Sequence, residues 1–144
     1  MNALRLPFMS IATALVLSAC GDSLDRADAT NTEAVALGEK LYAENCAACH
    51  QADLSGEPNW REVKADGTLP APPHDDSGHT WHHDDQLLFK YTKLGGAGVA
   101  PPSFKSAMPG FADSLSDYEI WAVLSYIKSR WSLKGQARQA GLNK

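Results

Sequence analysis

The chain has 144 residues, 44% of them hydrophobic and 21% charged, with a formal net charge of −4. That length holds one small domain. The mildly acidic balance argues against nucleic acid as a partner.

Arg5 precedes an apolar stretch from Leu6 to Leu17 that ends in small residues. The stretch is short for a membrane span and has the make-up of an export signal. It closes in Leu17-Ser18-Ala19-Cys20, which resembles the lipobox of bacterial lipoproteins. That resemblance implies removal of residues 1–19 and acylation of Cys20. Several acyl chains on one residue give stable anchoring, whereas one chain alone is marginal. Acylation also accounts for an odd third cysteine in an exported chain; ordinary cleavage nearby leaves a soluble protein with a free Cys20. Residues 20–32 are small and polar without apolar periodicity, and are expected to form a flexible tether. As a random coil it spans roughly 20 Å.

A helix is expected from Thr32 to Cys46. Asn31 or Thr32 caps it, and Glu33 favours the positive end of its dipole. Ala34, Leu37 and Leu41 recur at helical spacing. Gly38, Tyr42 and Cys46 share another face. Glycine inside a helix costs about 1 kcal/mol relative to alanine, and a close helix crossing is a reason to keep it.

That helix runs into Cys46-Ala47-Ala48-Cys49-His50. Two cysteines three apart on a helical turn lie on one face, where their sulfurs meet the two vinyl groups of one porphyrin. The adjacent His50 offers an imidazole nitrogen to the iron. A zinc site needs two more Cys or His at regular spacing, and there is no second C-x-x-C. A thioredoxin-like pair needs a βαβ context. The motif therefore points to one covalently bound haem c.

Residues 51–73 hold Gly56, Pro58, Gly67, Pro70, Pro72 and Pro73 and form a loop-rich stretch. Trp60 is either a cover for one side of the haem or a satellite core residue. Four of the five histidines follow, His74, His79, His82 and His83. Three readings of them stay open. His79, His82 and His83, completed by Asp75, Asp76, Asp84 or Asp85, form a copper or zinc site. One of them is a sixth haem ligand. Or the segment is a polar turn in which imidazoles bond backbone, water or propionates and Trp81 packs on a ring.

A short helix is expected next, capped by His83 or Asp84, with Leu87, Leu88, Tyr91 and Leu94 as its buried stripe. Gly95 and Gly96 stop it, and a Gly/Pro loop leads to Met108-Pro109. Ser116-Asp117-Tyr118-Glu119 is a capping-box pattern. It opens a last helix with Ile120, Trp121, Val123, Leu124, Ile127 and Trp131 as an apolar stripe. This helix is expected to end between Trp131 and Lys134, before Gly135. Residues 133–144 carry Lys134, Arg138 and Lys144 without an acidic residue, and are expected to be a polar tail, either disordered or a weak docking strip.

From Thr32 to Trp131 the chain resembles class I c-type cytochromes. Its haem motif follows a helix with Gly38 and Tyr42, and its last helix carries Val123 and Tyr126. The resemblance implies an all-α fold, over residues 33–132, in which the two terminal helices cross around one haem. It implies that Gly38 and Tyr42 meet Val123 and Tyr126, with Trp121 contributing. It implies that a prolyl carbonyl, Pro72 or Pro73, accepts the other N–H of His50. It places an axial methionine in the loop of Met108, often before a proline. A thioether there is soft and neutral, and stabilises ferrous iron. Gly78-His79-Thr80-Trp81-His82-His83 resembles a segment of a subgroup of small bacterial cytochromes.

The expectation is an exported, lipid-anchored one-electron carrier of the bacterial periplasm or the outer face of a membrane. It passes electrons between redox partner proteins, with Cys46 and Cys49 binding haem c and His50 and Met108 as axial ligands, and is not an enzyme. The alternatives are a copper-handling or sensing protein built on the His74–His83 cluster, or a peroxidase-like enzyme with a labile sixth site.

Overall fold

The structure is a computed structural model that describes residues 23–143. The expected export signal and Cys20 lie outside the described residues.

Asn31 opens α1 (Thr32–Asn45). Its side-chain oxygen accepts from the Ala34 amide at 3.0 Å, satisfying a helix-end donor. A single turn, α2 (Ala47–His50), follows at once. After a long loop, a 3-10 turn (Thr80–His82) leads to α3 (Asp85–Leu94), and a short turn α4 (Gly96–Val99) adjoins it. The chain ends in α5 (Asp117–Ser129) and α6 (Leu133–Ala140). Among the described residues there is no strand, only an isolated parallel bridge between Thr68 and Lys105.

Helices α1 and α5 cross at Gly38 and make the most extensive helix pair. The core is built on α5, where Ile120 to Ile127 are all buried. Tyr42 of α1 packs on Tyr126 with ring centroids 5.4 Å apart. Gly38 faces Ala122 and Tyr126. Ala122 thus takes the place expected for Val123. Trp121 points the other way and stacks on Phe89 of α3, centroids 4.3 Å apart. The buried side of α3 accordingly uses Leu88 and Phe89. Leu94, expected in the stripe, is 53% exposed at the helix end.

The capping box of α5 is complete. Ser116 Oγ accepts from the Glu119 amide, and Glu119 Oε2 accepts from the Ser116 amide at 2.8 Å. Bonds donated by the Ser116 amide and hydroxyl hold the Glu119 carboxyl below its ordinary value of 4.5. The unfolded chain therefore takes up this proton first as pH falls. The contribution is present above about pH 4.5 and is lost as pH drops through the lower folded value. Glu119→Gln is expected to flatten that part of the stability profile, read by chemical unfolding between pH 3 and 6 (roughly the range in which a carboxylate titrates).

Two expectations about the chain ends are corrected. The described part of the tether is packed rather than free. Ala27 is buried in the core cluster, and the Asp28 amide donates to Ser125 Oγ at 2.9 Å. Lys128 Nζ donates to Ala27 O at 3.0 Å. The polar tail is also structured. Gly135, expected as a helix stop, lies inside α6, because Ser132 caps a new helix by accepting from the Gly135 amide. Gln139 is fully buried, and its amide donates to Asp85 and to His83 O. No helix of the described residues is long and apolar enough to cross a membrane.

Candidate functional site

Cys46 ends α1, its amide donating to Tyr42 O at 2.8 Å. The next turn is held by the Cys49 and His50 amides, both donating to Cys46 O. One helical turn therefore presents Cys46, Cys49 and His50 together. Both thiols are free; Cys46 is half-buried and Cys49 exposed. Burial pushes the Cys46 thiol up to about 11, so it is a neutral thiol near pH 7.

His50 is buried. Its Nδ1 lies 2.8 Å from Pro72 O. A carbonyl only accepts, so Nδ1 carries the proton and Nε2 is left with a free lone pair. Burial also holds the His50 pKa below the usual 6.5, which keeps that lone pair available.

The backbone around this ring is unusual. Gln51 has φ 63° and ψ 152°, a region that glycine favours. Tyr42 Oη donates to Gln51 O at 3.1 Å and holds the turn. Gly56, at φ +70°, lies so close to residues 71–73 that a Cβ would sit 2.6–2.7 Å from their backbone. Its amide donates to His50 O at 3.0 Å. Gly56 thus lets the segment carrying the Pro72 carbonyl lie close to the His50 turn. Its close approach to Pro72 has no local sequence signature.

The histidine cluster divides. His74 turns inward and stacks on His50, ring centroids 3.9 Å apart and 23° from parallel. Its Nδ1 is 2.9 Å from Thr80 Oγ1, whose hydroxyl reaches Pro73 O at 3.4 Å. Desolvation, then the neighbouring His50 and His79, hold His74 well below the usual pKa, so it is neutral. His79 is exposed and stacks on Trp60, 5.4 Å apart and 5° from parallel, with Arg61 over the same indole. Trp60 is therefore part of a surface stack. His82 packs on Trp81 at 3.9 Å, and His83 meets the His79 edge at 5.3 Å. Among the described residues no group of three or more His, Cys, Asp or Glu is placed to hold a metal ion. His79 and His83 meet edge to face, while His82 turns to Trp81, so the three rings are not gathered around one point.

Met108 sits on a loop stitched to the end of α3. The amides of Phe111 and Ala112 donate to Thr92 O and Lys93 O, and the Gly96 amide donates to Met108 O at 3.2 Å. Helix-end carbonyls, which lack partners inside the helix, thus fasten the loop. Gly95, at φ +75°, makes this possible, since a Cβ there would meet Gly110 and Pro109 backbone.

The residues fit a covalent haem. Two thiols and a histidine with a free Nε2 share one turn. Trp81 Nε1 is buried without a hydrogen-bond partner among the described residues, a donor suited to a propionate carboxylate.

The family model described as Cytochrome c matches residues 35–131. The protein belongs to the cytochrome c family, a class whose members carry covalently bound haem c and serve in electron transfer. The chain is 31% identical over 114 residues to the Cbb3-type cytochrome c oxidase subunit CcoP of Rhodobacter capsulatus, which covers 79% of this chain and 33% of that protein. It is 35% identical over 101 residues to a thiosulfate dehydrogenase of Stutzerimonas stutzeri, covering 66% of this chain and 27% of that protein. The chain thus spans a third or less of the length of these curated relatives. No solved structure matches it.

Proposed function

We propose that this protein is an exported, lipid-anchored one-electron carrier with His50 and Met108 as axial ligands. The observation that carries the reading is the buried His50 ring, with Nδ1 fixed on Pro72 O and Nε2 left free. When bound, haem c supplies an iron centre that changes by one electron. Cys46 and Cys49 hold it, and the Pro72 carbonyl orients His50 and raises its basicity. The loop of Met108, fastened to α3, offers a thioether whose softness favours ferrous iron.

Ferric wild-type holoprotein is expected to show the weak far-red absorption band of sulfur-ligated haem, and Met108→Ala to lose it. A wild type without the band overturns Met108 ligation and favours the peroxidase-like reading. Thiosulfate oxidation by the isolated holoprotein would replace the carrier reading with an enzymatic one.

Acylation of Cys20 gives the membrane location. Ala27 is already packed on the body, so seven residue steps join it to Cys20. Even fully extended these span at most about 25 Å. The domain is therefore held close to the bilayer surface. Cys20→Ser is expected to move the protein from the membrane fraction to the soluble fraction of fractionated cells, with haem content unchanged. Its redox partners are proteins that work at the same surface.

A further inference from the structure

His74 is held at its backbone N–H and C=O and at one ring nitrogen. Its amide donates to Leu54 O at 2.8 Å. Its carbonyl accepts from the Trp131 indole N–H at 2.8 Å. Its Nδ1 is held by Thr80 Oγ1 at 2.9 Å, and the Thr80 hydroxyl can pass the chain on to Pro73 O. Tyr42 stands edge-on to it with centroids 6.2 Å apart. One flat face is laid against His50, 3.9 Å between centroids.

The Pro72 bond restrains His50 only in the plane of its ring. Hydrogen bonds tolerate broad angles at a carbonyl oxygen, so that contact alone leaves the ring free to tilt. A second ring in van der Waals contact across the face removes the tilt, because turning His50 drives its edge into His74. A leucine would fill the same volume but present no flat face. Burying an imidazole is unfavourable unless its polar atoms are bonded, and here Thr80 bonds Nδ1.

We propose that His74 is a positioning residue that sets the ring plane of His50 and, through Trp131, ties that plane to the end of α5. The proposal rests on the reading of His50 as iron ligand. Such outer partners orient ligands and tune the centre they hold.

The orientation of an axial imidazole plane shapes the splitting of low-spin ferric iron, which electron paramagnetic resonance reads as g-values. The test uses purified holoprotein of wild type, His74→Leu, His74→Phe and Thr80→Val. Circular dichroism checks the fold, and g-values and the midpoint potential are the readouts. His74→Leu is expected to shift and broaden the g-values and to move the potential. His74→Phe, which restores a flat face, is expected to return the g-values toward wild type. Thr80→Val, which frees Nδ1 but keeps the ring, is expected to give a smaller shift in the same direction. Folded His74→Leu holoprotein with wild-type g-values and potential overturns the proposal. Should His74→Leu fail to accumulate, unchanged g-values in Thr80→Val overturn it instead. A wild type with no histidine-ligated low-spin signal overturns the reading of His50 itself, a distinct failure visible before any variant is compared.

Discussion

Gly38→Ala is expected to destabilise the protein by up to about 2 kcal/mol, although alanine is the better helix former. The two effects oppose each other and their sizes decide the outcome. Replacing glycine by alanine inside a helix gains about 1 kcal/mol in propensity. At Gly38, however, the new Cβ would meet Ala122 O, Ala122 C and Tyr126 Cβ, all nearer than real Cβ atoms come. Two of these are backbone atoms of α5, so no rotamer change relieves the clash. The helices must separate, and Ala34, Ile120, Ala122 and Val123, all at most 1% exposed, lie around that crossing. Overpacking of a core costs about 1–3 kcal/mol and sometimes more. Gly38→Val is expected to cost more still.

Gly135→Ala is the control. Its Cβ would meet the Asp76 carboxylate at 2.9 Å, a side-chain end that can shift while its other oxygen keeps the Ser132 amide, and Trp131 Cβ at 3.3 Å. There the propensity gain offsets the contact, and the change is expected to be close to neutral. Denaturant unfolding of the two variants beside wild type separates a backbone contact from a general dislike of side chains at glycine positions. Equal stabilities would show that the α1–α5 crossing yields more readily than its geometry indicates.

The main helices are legible in the sequence because their signals are local. The capping box at Ser116, the cap at Asn31 and the apolar periodicity of α1 and α5 each concern neighbouring residues. The Cys46–His50 motif is equally local. What stays hidden depends on partners far along the chain. Gly38 meets Ala122 rather than Val123, a difference of one residue in register that spacing alone does not resolve. The four histidines after residue 73 look alike in sequence, yet only His74 faces His50, because the Leu54 carbonyl and the Trp131 indole hold its backbone. Likewise, α6 is polar and contains a glycine, so composition marks it as a tail. It is a helix on the body because Gln139 and Asn143 find Asp85, which lies more than fifty residues away in sequence.

That carboxylate predicts the largest loss of stability from a polar residue. Asp85 and Lys128 side chains are 4% and 12% exposed, with Nζ and Oδ2 3.3 Å apart. Asp85 also accepts from Gln139 Nε2 and from Asn143 Nδ2, and its amide donates to Asn143 Oδ1. Lys128 in turn reaches Ala27 O. One carboxylate thus gathers α3, α5, α6 and the chain segment at residue 27. Removing one partner of a buried pair leaves the other charge uncompensated and costs about 3–5 kcal/mol. Asp85→Ala strands the Lys128 ammonium and two amides at once, so the upper part of that range is expected. With about 3–6 °C lost per kcal/mol for a chain of this size, the midpoint of thermal unfolding should fall by more than 10 °C. Replacing both charges, Asp85→Leu with Lys128→Met, removes the unpaired ammonium but leaves Gln139 and Asn143 without their acceptor. It should recover part of the loss and not all of it. Limited trypsin digestion tells where the damage lies. Lys134 and Arg138 sit on α6, so early cleavage there in Asp85→Ala, with the haem signal intact, means that α6 detaches as a local unit. Cleavage throughout the chain at the same rate means that the clasp at Asp85 supports the whole fold. Either pattern is compatible with the expected loss, but an Asp85→Ala protein as stable as wild type would show that water or rearranged amides replace the carboxylate without cost.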